Sequence, residues 1–136
     1  MTTAIQVTGL KEFRRGLKTI DRELPKALRV ALNDVVQLVV DDARPRVPKR
    51  SGRARGSVKA RSTQSRARIV GGSARAPYYG WLDFGGRVGR RRSVSRPVLA
   101  DGRYIYNAYF RHRDEMVPLF EDALVKLCRR AGLEVT

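Results

Sequence analysis

Few side chains in this sequence have the chemistry of catalysis. His112 is the sole histidine and stands in "FRHRDE", among charged neighbours. A general base needs a partner to orient it, and a zinc site needs several ligands, so a solvated charge cluster accounts for this residue better. Cys128 is the sole cysteine, which rules out an intrachain disulfide. On the apolar side of a helical pattern it reads as a small core residue rather than a nucleophile. The glycines around Arg87 lack the Gly-Lys-Ser/Thr ending of a phosphate loop, and no Gly-x-Ser-x-Gly elbow occurs. The expectation is a protein that is not an enzyme and that takes no metal and no cofactor.

Cationic chemistry, by contrast, is abundant. The 136 residues carry 29 Lys/Arg against 13 Asp/Glu, a formal charge of +16. Eleven of those cations fall between Arg44 and Arg75, where no acid occurs. So much like charge repels itself in a compact monomer and favours an anionic or acidic partner. Guanidinium groups fork onto carboxylates and phosphates alike. The candidate partner-binding residues are Arg50, Arg53, Arg55, Lys59 and Arg61 in "VPKRSGRARGSVKARS", and Arg87, Arg90, Arg91 and Arg92 in "GGRVGRRRSVSR". Between the two runs lie Tyr78, Tyr79 and Trp81, bulky enough to anchor a buried contact. Pro48, Gly52, Gly85 and Gly86 are the candidate turn formers. A nucleic-acid reading follows from the same cations and aromatics. No zinc-finger or RNA-recognition signature accompanies them, and the aromatics sit in one apolar block, as core or interface anchors do.

The elements that must position these residues read as an α+β domain spanning 1–136. Leu10, Phe13, Leu17, Ile20, Leu24, Leu28, Leu32, Val35 and Val39 recur at intervals of three and four, one stripe of a long N-terminal helix with Thr8 as its N-cap. Pro25 predicts either a kink or a second helix with the proline in its first turn; the unbroken phase of the stripe favours the kink. The helix ends before Pro45. A flexible basic loop is expected over 44–56. A short antiparallel hairpin follows, with "SVKARS" and "ARIVGG" around Gln64-Ser65. Pro77 and Gly85-Gly86 bracket a short central helix. Residues 86–102 read as a second flexible basic loop, and "RYIY" as a strand. From Asn107 a C-terminal amphipathic helix runs with Phe120, Leu124, Leu127 and Ala131 on one face, Pro118 disturbing its early part and Gly132 at C′. No apolar run approaches a membrane span, and "MTTAIQVTGLKEF" has no signal-peptide pattern, so a reducing compartment is expected. A thin domain of this kind gains stability by adding neighbours, and identical subunits close into rings.

The order of these landmarks resembles the tail-component family of long-tailed bacteriophages, which act as neck or tail-completion proteins at the head–tail junction. The first landmark is the turn "VPKRSGRARGSV", with Pro48, Ser51, Gly52, Arg53 and Ser57 in place and Arg50 where the family usually has an acid. The second is "YYGWLDFGG", with Leu82, Asp83, Phe84 and Gly85 in place and Asp83 standing for the more usual glutamate. The third is "GRYIYNAYF" before "VPLFEDALVKLCRRAGL", with Asn107 at a position often held by proline. The resemblance implies a structural virion protein made in the host bacterial cytoplasm. It implies a homo-oligomeric ring of six copies, with twelve as the alternative, contacting neighbouring neck, connector and tail proteins. Non-specific contact with DNA in the channel is compatible with it, and membrane contact is not expected. A basic DNA-binding architectural protein is the alternative.

Overall fold

The computed structural model describes residues 2–5, as backbone, and 9–133. In chain order the elements are strand β1 (Thr2–Ile5), helices α1 (Leu10–Ile20), α2 (Leu24–Ala43) and α3 (Arg53–Ser57), strands β2 (Lys59–Ala60) and β3 (Ala67–Val70), helix α4 (Tyr79–Phe84), strands β4 (Gly86–Val88) and β5 (Val94–Arg96), and helix α5 (Ile105–Arg130). The architecture is α+β, as the sequence pattern implies. Thr8, the expected N-cap, lies outside the described residues.

Helix α2 is the centre of the fold. Leu28, Leu32, Val36, Val39 and Val40 are fully or almost fully buried, because α2 lies against α5 and also against β2 and β3. Packing on several sides requires apolar residues over a wide arc, which explains why Val36 and Val40 join the stripe. Pro25 produces two helices rather than a kink. Asp21 becomes extended (φ −155°, ψ 132°), its carboxylate accepts the Glu23 N–H at 2.9 Å, and Pro25 takes the first turn of α2. There its missing N–H has no intrahelical partner to lose. At this break Ile20, assigned to the apolar stripe, is 48% exposed.

The segment 44–56 is more regular than the expected loop. A 3-10 turn over Arg44–Arg46 follows α2, Val47 is buried, and α3 begins after Gly52. Two arginines hold it together: Arg44 donates to the Val58 carbonyl and Arg55 to the Val47 carbonyl. The hairpin follows as expected. β3 is the middle strand of a three-stranded antiparallel sheet, paired with β2 (Lys59 opposite Val70) and with β1 (Ile5 opposite Ala67). Strand β1 was unassigned from the sequence, although "TTAI" is rich in β-branched residues. Residues 86–102 also contain a second hairpin, with β4 antiparallel to β5 and a 3-10 turn over Arg90–Arg92 at its tip.

"RYIY" is not a strand. Tyr104 precedes α5 and Ile105 opens it, two residues earlier than the periodicity suggests, because Asp83 captures the backbone there. Pro118 leaves α5 continuous; it lies on an exposed part of the helix, where the Asp114 carbonyl it orphans can turn to water. The C-terminus closes as expected: Gly132 has φ 81°, and the Leu133 and Gly132 amides donate to the carbonyls of Cys128 and Arg129.

Candidate functional site

Two distant stretches of chain meet in one groove. Its volume is about 650 Å³, and its walls come from α3 with the turn before it, from α4, and from the second hairpin. Pro48, Ala54, Trp81, Leu82, Val88 and Val94 make it apolar. Arg50 and Arg53 stand exposed at its edge, and Tyr78, 40% exposed, closes one side. The tip of the second hairpin carries Arg90, Arg91 and Arg92, all exposed, with Arg87 exposed on β4. Among the described residues no acid lines this groove.

Local chemistry fixes each wall. Trp81 donates its Nε1–H to the Gly86 carbonyl at 3.0 Å, and the Arg96 guanidinium carbon lies 5.7 Å from the centre of its ring. The indole is thereby held by a hydrogen bond and a cation–π contact while part of it stays open. Gly85 turns the chain from α4 into β4 with φ 86°; a Cβ there would collide with the Pro97 carbonyl oxygen, so only glycine fits. Gly86 follows as the first residue of β4, and Gly52, φ 86°, directly precedes α3. Ser57 is buried, donating to the Ala54 carbonyl at 2.6 Å and accepting the Gly72 N–H at 3.0 Å, which ties α3 to the end of the first hairpin.

The fold separates the candidate residues. Arg50, Arg53, Tyr78 and Trp81 share the groove, with Arg87 and the three tip arginines on the hairpin that forms one of its walls. Lys59 is exposed on β2, and Arg61 lines a different depression beside α2. Arg55 is half-buried and spent on the Val47 carbonyl. Tyr79 is not a surface anchor: it is fully buried, and its hydroxyl donates to Asp83 Oδ2 at 2.8 Å. Burial, reinforced by the Asp83 charge, pushes the titration of this phenol far above its ordinary value, so it remains a donor.

Asp83 is the residue whose importance the sequence reading missed. It is fully buried, and Oδ1 accepts the amides of Arg103 (2.6 Å) and Tyr104 (3.0 Å). Arg103 in turn donates to the Asp83 carbonyl and to the Pro97 carbonyl. Its backbone and carboxylate therefore tie α4, the end of the second hairpin and the start of α5 into one unit. The signal was available: Asp83 is the sole acid between Asp42 and Asp101. Val88 and Val94 were also legible, as β-branched residues placed symmetrically about the arginine turn.

His112 faces Asp42 (Nε2 to Oδ2, 3.0 Å) and Glu115 (Nδ1 to Oε2, 3.1 Å), on the seam between α2 and α5. Among the described residues no three His, Cys, Asp or Glu side chains are grouped to hold a metal ion, and no helix is long and apolar enough to cross a membrane. No protein-family model, curated protein or solved structure matches this chain.

Proposed function

We propose that the protein is a non-enzymatic structural subunit that assembles by seating a partner's apolar, acid-flanked segment in the groove between α3, α4 and the second hairpin. The particular reading is a ring-forming neck protein of a tailed bacteriophage, joining or completing the tail at the capsid connector. The observation that carries it is the convergence of the first two landmarks. Residues 48–54 and 78–82, far apart in sequence, line one apolar groove with a cationic edge. Such a surface has the anatomy of a protein contact, an apolar core within a polar rim, and guanidinium forks at that rim are able to pair with a partner's carboxylates.

The test is paired. Charge reversal at Arg50 and Arg53 is expected to abolish higher-order assembly in native mass spectrometry and to leave the melting temperature of the subunit within about 2 °C, since exposed charges contribute little to folding. Arg55 is excluded from that test because it holds the Val47 carbonyl. In a phage that encodes the protein, deletion of its gene is expected to leave filled heads beside unattached tails. Normally joined particles would sink the neck reading, and assembly untouched by the charge reversal would sink the groove.

A further inference from the structure

A second depression, separate from the groove above, lies between α2 and the first hairpin. Its volume is about 630 Å³. Arg29 and Asn33 come from α2, Arg68 from β3, and Arg61 and Ser62 from the chain leaving β2. Among the described residues no carboxylate lines it. None of its three arginines has a carboxylate partner among the described residues.

The second observation is an orphaned donor. Arg68 Nε is buried and has no hydrogen-bond partner. A buried charged donor left unpaired costs free energy, and an arriving acceptor recovers it. Two other arginines share the condition with different surroundings. Arg96 lies over Trp81 and gives its Nη2 to the Tyr104 hydroxyl (2.9 Å), while Arg14 gives its Nη1 to Gln64 (3.4 Å). Arg68, by contrast, lines the depression described above.

The neutral neighbours are also arranged as donors. Asn33 Oδ1 accepts the Ser62 amide at 2.7 Å, so its Nδ2 group is left to donate. Ser62 Oγ accepts the Arg68 amide at 3.1 Å, which leaves the hydroxyl hydrogen to donate. Three arginines, an amide and a hydroxyl thus line one depression to which, among the described residues, no side-chain carboxylate is contributed.

We propose that this depression is a phosphate-binding site, the ligand being either a phosphodiester of a nucleic-acid backbone or a free phosphate group. It rests on no part of the ring reading, and it uses none of the residues of the first groove.

The first experiment measures duplex DNA binding by fluorescence anisotropy across a salt series, with two triple variants of equal charge. R29Q/R61Q/R68Q is expected to weaken binding at least tenfold and to reduce the salt slope by about 2 to 3. R90Q/R91Q/R92Q is expected to weaken it less than threefold. The second experiment follows the Arg68 Nε–H resonance of the unmodified protein, which needs no variant to fold, during titration with inorganic phosphate or the duplex at constant ionic strength. Movement with both identifies a backbone site, and movement with phosphate alone identifies a free-phosphate site; either supports the proposal. A resonance indifferent to both overturns it. Equal losses in the two triple variants exclude the nucleic-acid backbone as the ligand, because the attraction for DNA would then be that of the whole +16 surface, and the proposal then stands only if the resonance moves with inorganic phosphate.

Discussion

Asp42 and Asp83 both hold α5 in place, in opposite ways. Asp42 lies on the α2–α5 seam, partly open to water, and its oxygens meet Arg46 (3.0 Å), Arg111 (2.9 Å) and His112 (3.0 Å). Asp83 is buried at the start of α5, and the donors on its oxygens are a phenol and two backbone amides, with no cation. The first is a screened ion cluster that joins two finished helices. The second is a buried acceptor without which three donors have no destination. In a chain this rich in arginine, the carboxylate that shapes the fold is the one satisfied by neutral groups. Of the guanidinium groups near it, Arg103 is spent on two carbonyls and Arg96 on the Tyr104 hydroxyl and the Trp81 ring.

The comparison breaks most visibly at Asp83. Asp83→Ala strands the Tyr79 hydroxyl and the amides of Arg103 and Tyr104 in the interior, and should cost about 3 kcal/mol or more in chemical denaturation. The fluorescence of Trp81, two residues away, should report the same loss of local order. A change under about 1 kcal/mol would mean that water replaces the carboxylate, and the contrast with Asp42 would vanish. Tyr79→Phe is the milder version. It removes one 2.8 Å hydrogen bond and keeps the ring packed against Gly71, where even a Cβ would clash with it, so a loss of about 1 to 1.5 kcal/mol is expected.

These two residues also mark where the sequence stopped being legible. The stripe from Leu10 to Val39, the Gln64-Ser65 hairpin, the short helix before Gly85 and the Gly132 stop were readable because each is local: periodicity, alternation or a turn residue specifies it. Strand β1 was not, since its hydrogen-bond partners lie more than sixty residues away on β3. Nor was the start of α5. Local periodicity put it at Asn107, but Asp83 reaches across about twenty residues to fix it at Ile105. For the candidate sites, composition marked the arginines and aromatics as two populations. It could not show that Tyr79 turns inward, that Arg55 closes a backbone turn, or that Arg61 joins Arg29 and Arg68 in another depression. Those assignments depend on which elements pack together.

Asp42 should give a smaller and pH-dependent effect. The Arg111 hydrogen bond, opposed by partial burial and aided by Arg46 and His112, lowers its carboxyl from 3.8 to about 2. A carboxyl depressed in the folded state stabilises above its unfolded value, and the gain fades as pH falls through the folded one. Unmodified protein should therefore lose this contribution between about pH 4 and pH 2, while Asp42→Asn lacks it throughout. Because the arginines are about half exposed, solvent screening holds the difference near pH 7 to about 1 kcal/mol. Parallel acid limbs for the two proteins would remove Asp42 from the comparison.

The smallest effect on folding is expected at the hairpin tip, where it is the most informative. Arg91 and Arg92 adopt φ of 58° and 55°, the left-handed region that glycine occupies freely and that costs a side-chain-bearing residue about 1 kcal/mol or more. Glycine at both positions relieves that strain and in exchange loses more chain entropy on folding, so the two terms offset. The subunit should keep its stability to within about 1 kcal/mol. Partner capture should nevertheless fall, because the groove reading assigns these exposed guanidinium groups to the rim of a protein contact. Stability retained together with assembly retained would show that the strained arginines contribute to neither, and the partner surface would have to be sought away from this hairpin.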